Sequence, residues 1–232
     1  MSELAPIQHG KQGPIQHGAQ GKKPRELGKR MLDVVLALIA IVLLSPAFLI
    51  IAILAAISSP GPALFNQVRV GRHGREFRMW KFRTMDVNAD DEIHRRYVTA
   101  VLAGGRPGIA RGGARLQKLE HDPRVTTFGA FLRRWSLDEL PQLFNVLGGS
   151  MSLVGPRPVL PWEADLLEAR HRRRFEVKPG ITGLWQVCGR SAVSMLEALD
   201  LDVEYVATRS FALDLAILIR TIPTVLWERT AT

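Results

Sequence analysis

The sequence has one cysteine, Cys188, so neither an intrachain disulfide nor a cysteine-based metal cluster can form. Aromatic residues are scarce at 7%, with two tyrosines, and the basic-aromatic interleaving that stacks nucleic-acid bases does not occur. Acidic residues are outnumbered: 22 Asp and Glu face 31 Lys and Arg, for a formal net charge of +9. Twenty-four of those cations are Arg and seven are Lys. The planar fork of Arg donates two hydrogen bonds at once, so this composition suits phosphate-bearing partners. Nucleic acid, anionic lipid and nucleotide all meet that description. Residues 1–24 contain few large apolar side chains, and Pro6-Ile7-Gln8-His9-Gly10 returns as Pro14-Ile15-Gln16-His17-Gly18. Such a segment buries too little surface to offset the entropy of ordering it, and it is expected to be a disordered tail.

With 47% hydrophobic residues in 232, the rest of the chain suffices for one domain and a membrane element. Val34 to Ile57 are 24 residues without a charge. As a helix they measure roughly 36 Å, more than a bilayer core of about 30 Å. Ser45-Pro46 falls in the middle. Pro46 has no amide hydrogen for the Val42 carbonyl, and the Ser45 hydroxyl can bond back to a carbonyl one turn earlier. Basic clusters flank the run: Lys22, Lys23, Arg25, Lys29 and Arg30 before it, Arg69, Arg72, Arg75, Arg78, Lys81 and Arg83 after it. Both flanks therefore prefer the cytoplasmic side. A helix that enters, breaks at Ser45-Pro46 and returns satisfies both, which sets the anchor at 25–60 and a cytoplasmic-face domain at 61–232.

Within that domain, Ala63 to Val70 and Glu76 to Thr84 read as two strands around Gly71-Arg72-His73-Gly74. Residues 86–118 read as a helix and a loose Gly/Arg-rich loop. Phe128 to Asn145 reads as a helix interrupted near Pro141, and Glu163 to Phe175 as a polar helix ending in a basic surface patch, His171 to Arg174. Leu215, Leu218, Ile219, Ile222, Val225 and Leu226 share one helical face, either against the core or in the membrane interface. The expected fold class is α+β, mostly helical with a small sheet, a re-entrant helix-break-helix and interfacial amphipathic helices. Cys188 is expected to be a small buried residue.

Chemistry concentrates in Ser136-Leu137-Asp138-Glu139-Leu140-Pro141-Gln142. Ser136 and Glu139 have capping-box spacing, which makes a helix start one reading. Adjacent carboxylates beside Arg133 and Arg134 allow another: one attacks phosphorus, the other helps hold a divalent cation, and the arginines neutralise phosphate oxygens.

Several segments, in order, resemble one family. They are Lys29-Arg30-Met31-Leu32-Asp33, Ser45-Pro46, Phe65-Asn66-Gln67-Val68-Arg69-Val70-Gly71 and Lys81-Phe82-Arg83-Thr84-Met85. Asp122-Pro123-Arg124-Val125-Thr126, Arg133 to Gln142, Gly155-Pro156-Arg157-Pro158 and Lys178 to Arg190 continue the series. Together they resemble bacterial sugar transferases, the monotopic polyprenol-phosphate phosphoglycosyl transferases, of the minimal catalytic-core type.

The resemblance implies transfer of a sugar 1-phosphate from a nucleotide diphospho-sugar, a UDP-sugar, to undecaprenyl phosphate, with release of UMP. This is the first membrane step of surface-glycan (exopolysaccharide) biosynthesis, at the cytoplasmic face of a bacterial inner membrane. It implies Asp138 as the nucleophile that forms an acyl-phosphosugar, and Glu139 as its partner in catalysis and Mg²⁺ binding. Lys81, Arg133, Arg157 and Arg190 match positions that contact phosphates or place the nucleotide. The partners expected are the UDP-sugar, the polyprenol phosphate, the membrane and a second copy in a homodimer, with no nucleic acid. Gly149-Ser150 departs from the family pattern, which has an acidic residue there. The alternatives are a membrane-tethered nucleic-acid-binding module, favoured by the charge, and a scaffold in which Asp138-Glu139 is only a helix cap.

Overall fold

The computed structural model describes residues 23–85, 92–102, 124–189 and 193–227. The tail apart from Lys23 and Pro24, the Gly/Arg-rich loop, Asp122-Pro123 and Arg190 lie outside them. Helix α1, Lys23–Ser58, carries the whole apolar run. It is helical throughout, including Ser45 and Pro46, so the expected helix-break-helix is one helix here. Ser45 Oγ donates to the Val42 carbonyl at 2.8 Å. That carbonyl is the one Pro46 leaves without a backbone donor, so the serine satisfies it and the helix continues.

One stripe of α1 packs on the domain and the rest stays bare. Ala37 and Ala55 are fully buried and Ile51 nearly so, while Val42, Leu43, Leu49 and Ile57 are 64–73% exposed. Small side chains at the contact let α1 lie close to α4, Gln142–Gly148. The domain grips both ends. Near the start, Arg30 donates to the carbonyls of Val146 and Leu147 at 2.5 and 2.7 Å, at the end of α4, where Val146 also accepts from the Gly149 amide at 3.0 Å. Asp33 accepts from Ser152 Oγ and the Leu153 amide at 3.1 and 3.0 Å, and Lys29 meets Asp214 at 2.8 Å. At the far end Arg83 donates to the carbonyls of Ala55 and Ser59 at 3.1 and 2.6 Å.

Strands β1, Leu64–Val70, and β2, Glu76–Phe82, form the expected antiparallel hairpin, closed by a 3₁₀ turn over Arg72–Gly74. His73 and Gly74 have φ of 60° and 74° there, a left-handed turn that Gly tolerates at no steric cost. Asn145 of α4 locks onto β2, donating to the Arg78 carbonyl at 2.8 Å and accepting from the Trp80 amide at 3.0 Å. Helix α2 is Glu92–Leu102 and α3 is Thr127–Arg134, capped by Thr126 Oγ1 accepting from the Gly129 amide at 2.9 Å. A 3₁₀ turn, Leu137–Glu139, separates α3 from α4, which realises the interruption expected near Pro141.

A second, parallel pair is formed by β3, Ser152–Val154, and β4, Gly180–Thr182. Gly155 and Gly180 allow this approach: a Cβ on either would collide with the backbone of the other segment. The polar helix expected over 163–175 is two pieces, α5, Pro161–Leu166, and a 3₁₀ helix, His171–Glu176. Its terminal run is not uniformly a surface patch, because His171 and Arg174 are buried. After the short α6, Leu184–Cys188, come α7, Met195–Thr208, and α8, Phe211–Trp227. Cys188 is exposed rather than buried. On α8, Ile217 and Asp214 face the core, while Leu215, Ile219 and Ile222 of the apolar stripe are 44–64% exposed. The core joins Met79, Val146, Met151, Val154, Tyr205 and Ile217 to Ala37 of α1. Tyr205 donates to Asp214 at 2.6 Å, so the carboxylate that binds Lys29 is held by α7 as well.

Candidate active site

Ser136 is left-handed, with φ of 55°, and its side chain makes no cap hydrogen bond. The capping-box reading is therefore not realised. The turn instead sets Asp138 and Glu139 on a 3₁₀ segment against the β hairpin, with Asp138 7% exposed.

Three cations surround the pair, Lys81 and Arg157 from distant segments and Arg133 from the preceding helix. Lys81, on β2, brings Nζ to 2.9 Å from Glu139 Oε1 and 3.5 Å from Asp138 Oδ2. Arg157 follows β3 and reaches over, Nη2 donating to Glu139 Oε1 at 3.1 Å. Arg133, one turn earlier on α3, is oriented by Thr84, whose hydroxyl accepts from its Nε at 2.9 Å. Lys81, Arg133 and Arg157 are thus placed around Asp138 and Glu139; Arg190 lies outside the described residues.

The two carboxyls differ in proton affinity. Burial pushes Asp138 up, and the Glu139 charge adds to it, outweighing Lys81, Arg133 and Arg157. For Glu139 burial also acts upward, but Lys81 and Arg157 outweigh it and hold the carboxyl far below the usual range. Glu139 is thus held ionised, while the Asp138 carboxylate is the more basic of the two.

The Asp138 and Glu139 carboxylates are a donor set that suits Mg²⁺, which binds through one or two carboxylates plus substrate phosphates. Among the described residues no group of three or more His, Cys, Asp or Glu forms a metal cluster, so a substrate-completed site is the form that fits.

Two contributors escaped the motif reading. Thr84 lies in the quoted Lys81 to Met85 segment without an assigned role, and its position beside Arg133 depends on the long-range contact of the β2 end with α3. Asn145 is a buried amide in a seven-residue helix, a signal that an apolar helix face needed a polar partner.

The bacterial sugar transferase family model matches residues 24–228, nearly all of the described chain. The chain belongs to the bacterial sugar transferase family. The transferase is 39% identical over 203 residues to the exopolysaccharide production protein ExoY of Sinorhizobium fredii, covering 88% of this chain and 87% of that protein. It is 39% identical to the UDP-glucose:undecaprenyl-phosphate glucose-1-phosphate transferase of Caulobacter vibrioides, covering 89% of this chain and 73% of the relative. The undecaprenyl-phosphate galactose phosphotransferase of Salmonella typhimurium is also 39% identical, with 88% of this chain and 42% of the longer relative aligned.

Proposed function

We propose that this transferase moves a sugar 1-phosphate from a UDP-sugar to undecaprenyl phosphate, at the cytoplasmic face of a bacterial inner membrane, as the first membrane step of surface-glycan assembly. The observation that carries the reading is the buried Asp138 carboxyl beside a Glu139 already neutralised by Lys81 and Arg157. An Asp138 oxygen attacks the sugar-bearing phosphorus of the donor. The bond from that phosphorus to the bridging oxygen breaks, and UMP leaves with the oxygen. The resulting acyl phosphate is then attacked by an oxygen of the lipid phosphate, which frees Asp138 and yields the lipid diphosphosugar. Lys81, Arg133 and Arg157 supply positive charge where phosphoryl oxygens must sit, which lowers the barrier by positioning and electrostatics. Mg²⁺, held by Asp138 and Glu139 together with donor phosphates, would neutralise charge on the leaving group.

The membrane reading is supported by α1. Its window of mean hydropathy 3.1 is only 11% buried in the protein. Both its ends are tied to one domain, through Arg30 and Asp33 at one and Ala55 at the other. A helix crossing the bilayer would carry one of those ties to the opposite side, whereas a helix that stays on one face of the membrane keeps both. The exposed stripe of α8 fits an interfacial helix beside it.

Relatives of equal identity are named for glucose and for galactose, so the test is a panel of UDP-sugars with detergent-purified protein and Mg²⁺. Donor alone should release one UMP per active enzyme and leave a phosphosugar adduct visible by intact-protein mass spectrometry. Turnover of the Asp138→Asn protein at the wild-type rate would remove the covalent route.

A further inference from the structure

The basic run His171 to Arg174 divides by burial: Arg172 and Arg173 are exposed, whereas Arg174 is 4% exposed. Arg174 Nη2 donates twice, to Asp202 Oδ2 on α7 at 2.6 Å and to the backbone carbonyl of Arg157 at 2.5 Å. Asp202 is 2% exposed. Burial pushes its carboxyl up to about 6, against the opposing pull of Arg174 and Arg157. Withdrawing such a pair from water costs about as much as its mutual attraction returns, so stability alone gives a weak reason for it.

Its location gives a stronger one. Arg157 sits between Pro156 and Pro158, neither of which has an amide hydrogen to fasten the segment. The segment is fastened on either side instead. Upstream, the Gly155 amide donates to Thr182 and the Pro156 carbonyl accepts from Gly180, both at 2.9 Å. Downstream, the Val159 carbonyl accepts from Val70 at 2.9 Å. Arg174 takes the carbonyl between these points, on the residue whose guanidinium meets Glu139.

We propose that Arg174 and Asp202 are a positioning pair for the reaction: Asp202 orients the Arg174 guanidinium, which clamps the Arg157 backbone and so aims the Arg157 side chain at Glu139. The inference rests on the reading of Asp138 and Glu139 as the reacting pair. A brace that merely joins α7 to the 171–176 helix would lower stability without acting through Arg157.

Asp202→Asn keeps shape and an acceptor while removing the charge, and Arg174→Lys keeps the charge but offers one head for two acceptors; the second variant serves if the first does not fold. In the full chain in detergent, hydrogen exchange of the peptide spanning 155–160 should quicken roughly tenfold in either variant, with α3 and α4 unchanged. Lipid-dependent UMP release should lose roughly tenfold in kcat, with KM for the lipid unchanged. In an Arg157→Ala background the same substitution should cost less than about twofold, because the side chain being aimed is gone. Unchanged exchange at 155–160, or an equal fold loss in both backgrounds, would overturn the proposal. A wild-type protein that releases no UMP from any UDP-sugar would instead refute the catalytic reading, and the exchange measurement would still decide the clamp.

Discussion

Lys81 Nζ lies 2.9 Å from Glu139 Oε1, joining residues 58 positions apart on a strand and a 3₁₀ turn. The same ammonium is 3.5 Å from Asp138 Oδ2. One cation therefore serves both carboxyls, fixing the charge of Glu139 and partly offsetting the burial of Asp138.

Replacing Lys81 with Met should shift the acid limb of the pH–rate profile. Lys81 lowers the proton affinity of Asp138, so its removal raises that affinity further, and the rate should reach half its maximum at a higher pH. Even at optimal pH, a loss of phosphate-neutralising charge should cost on the order of 100-fold in kcat. An acid limb that stays in place or moves down in Lys81→Met would contradict the geometry.

Asp138→Asn should abolish turnover and yet make the protein more stable above neutral pH. The Asp138 carboxyl binds its proton more tightly in the folded state than unfolded. Its contribution is therefore fully present at low pH and is lost as pH rises through the folded value. A neutral amide avoids that loss, so the variant should unfold at a higher Tm than the wild type at pH 8, with the gain vanishing on acidification. Thermal unfolding in detergent across pH checks this.

Glu139→Gln should do the reverse. Its folded carboxyl is held low, so its stabilisation is present above the ordinary carboxylate range and is lost as pH falls. The amide would leave Arg157 without its carboxylate partner and Lys81 with Asp138 alone, at a cost of roughly 1–3 kcal/mol near neutral pH. Equal or higher stability of Glu139→Gln at pH 8 would refute the electrostatic assignment.

Asp33→Ala should loosen the start of α1 from the domain. It strands the Ser152 hydroxyl and the Leu153 amide at a buried position, costing roughly 1–3 kcal/mol. Proteolysis of detergent-solubilised protein should then cut at the start of α1, around Lys29 and Arg30, sooner than in the wild type. An unchanged cleavage rate would mean that Arg30 and Lys29 hold the helix alone.

Topology is tested by placing cysteines at exposed Gly28 and Arg75, in a Cys188→Ser background because Cys188 is itself exposed. Both should resist a membrane-impermeant thiol reagent in intact cells and react after permeabilisation. Labelling of position 28 in intact cells would show a spanning helix.

Local features of this protein were legible along the chain. The apolar run, the hairpin around Gly71 to Gly74 and the interruption before Pro141 each follow from neighbouring residues, because turn chemistry and hydrophobic runs act within a few positions. The Asp138-Glu139 pair was equally visible as a candidate site, though a capping box fitted the same spacing. Only the folded chain removed the capping box, by turning Ser136 left-handed, and brought Lys81 from β2 and Arg157 from beyond β3 to the pair. Strands β3 and β4 are three residues each, too short to show a period, and their pairing depends on two glycines 25 positions apart. The burial of Arg174 was hidden for a related reason: an Arg run looks solvated until a distant carboxylate, here Asp202, and a backbone carbonyl give one member partners. Sequence by itself determined which segments are apolar, which turn and which carry charge. Tertiary structure decided which charges meet, because desolvation and pairing depend on surfaces that touch only after the chain has closed on itself.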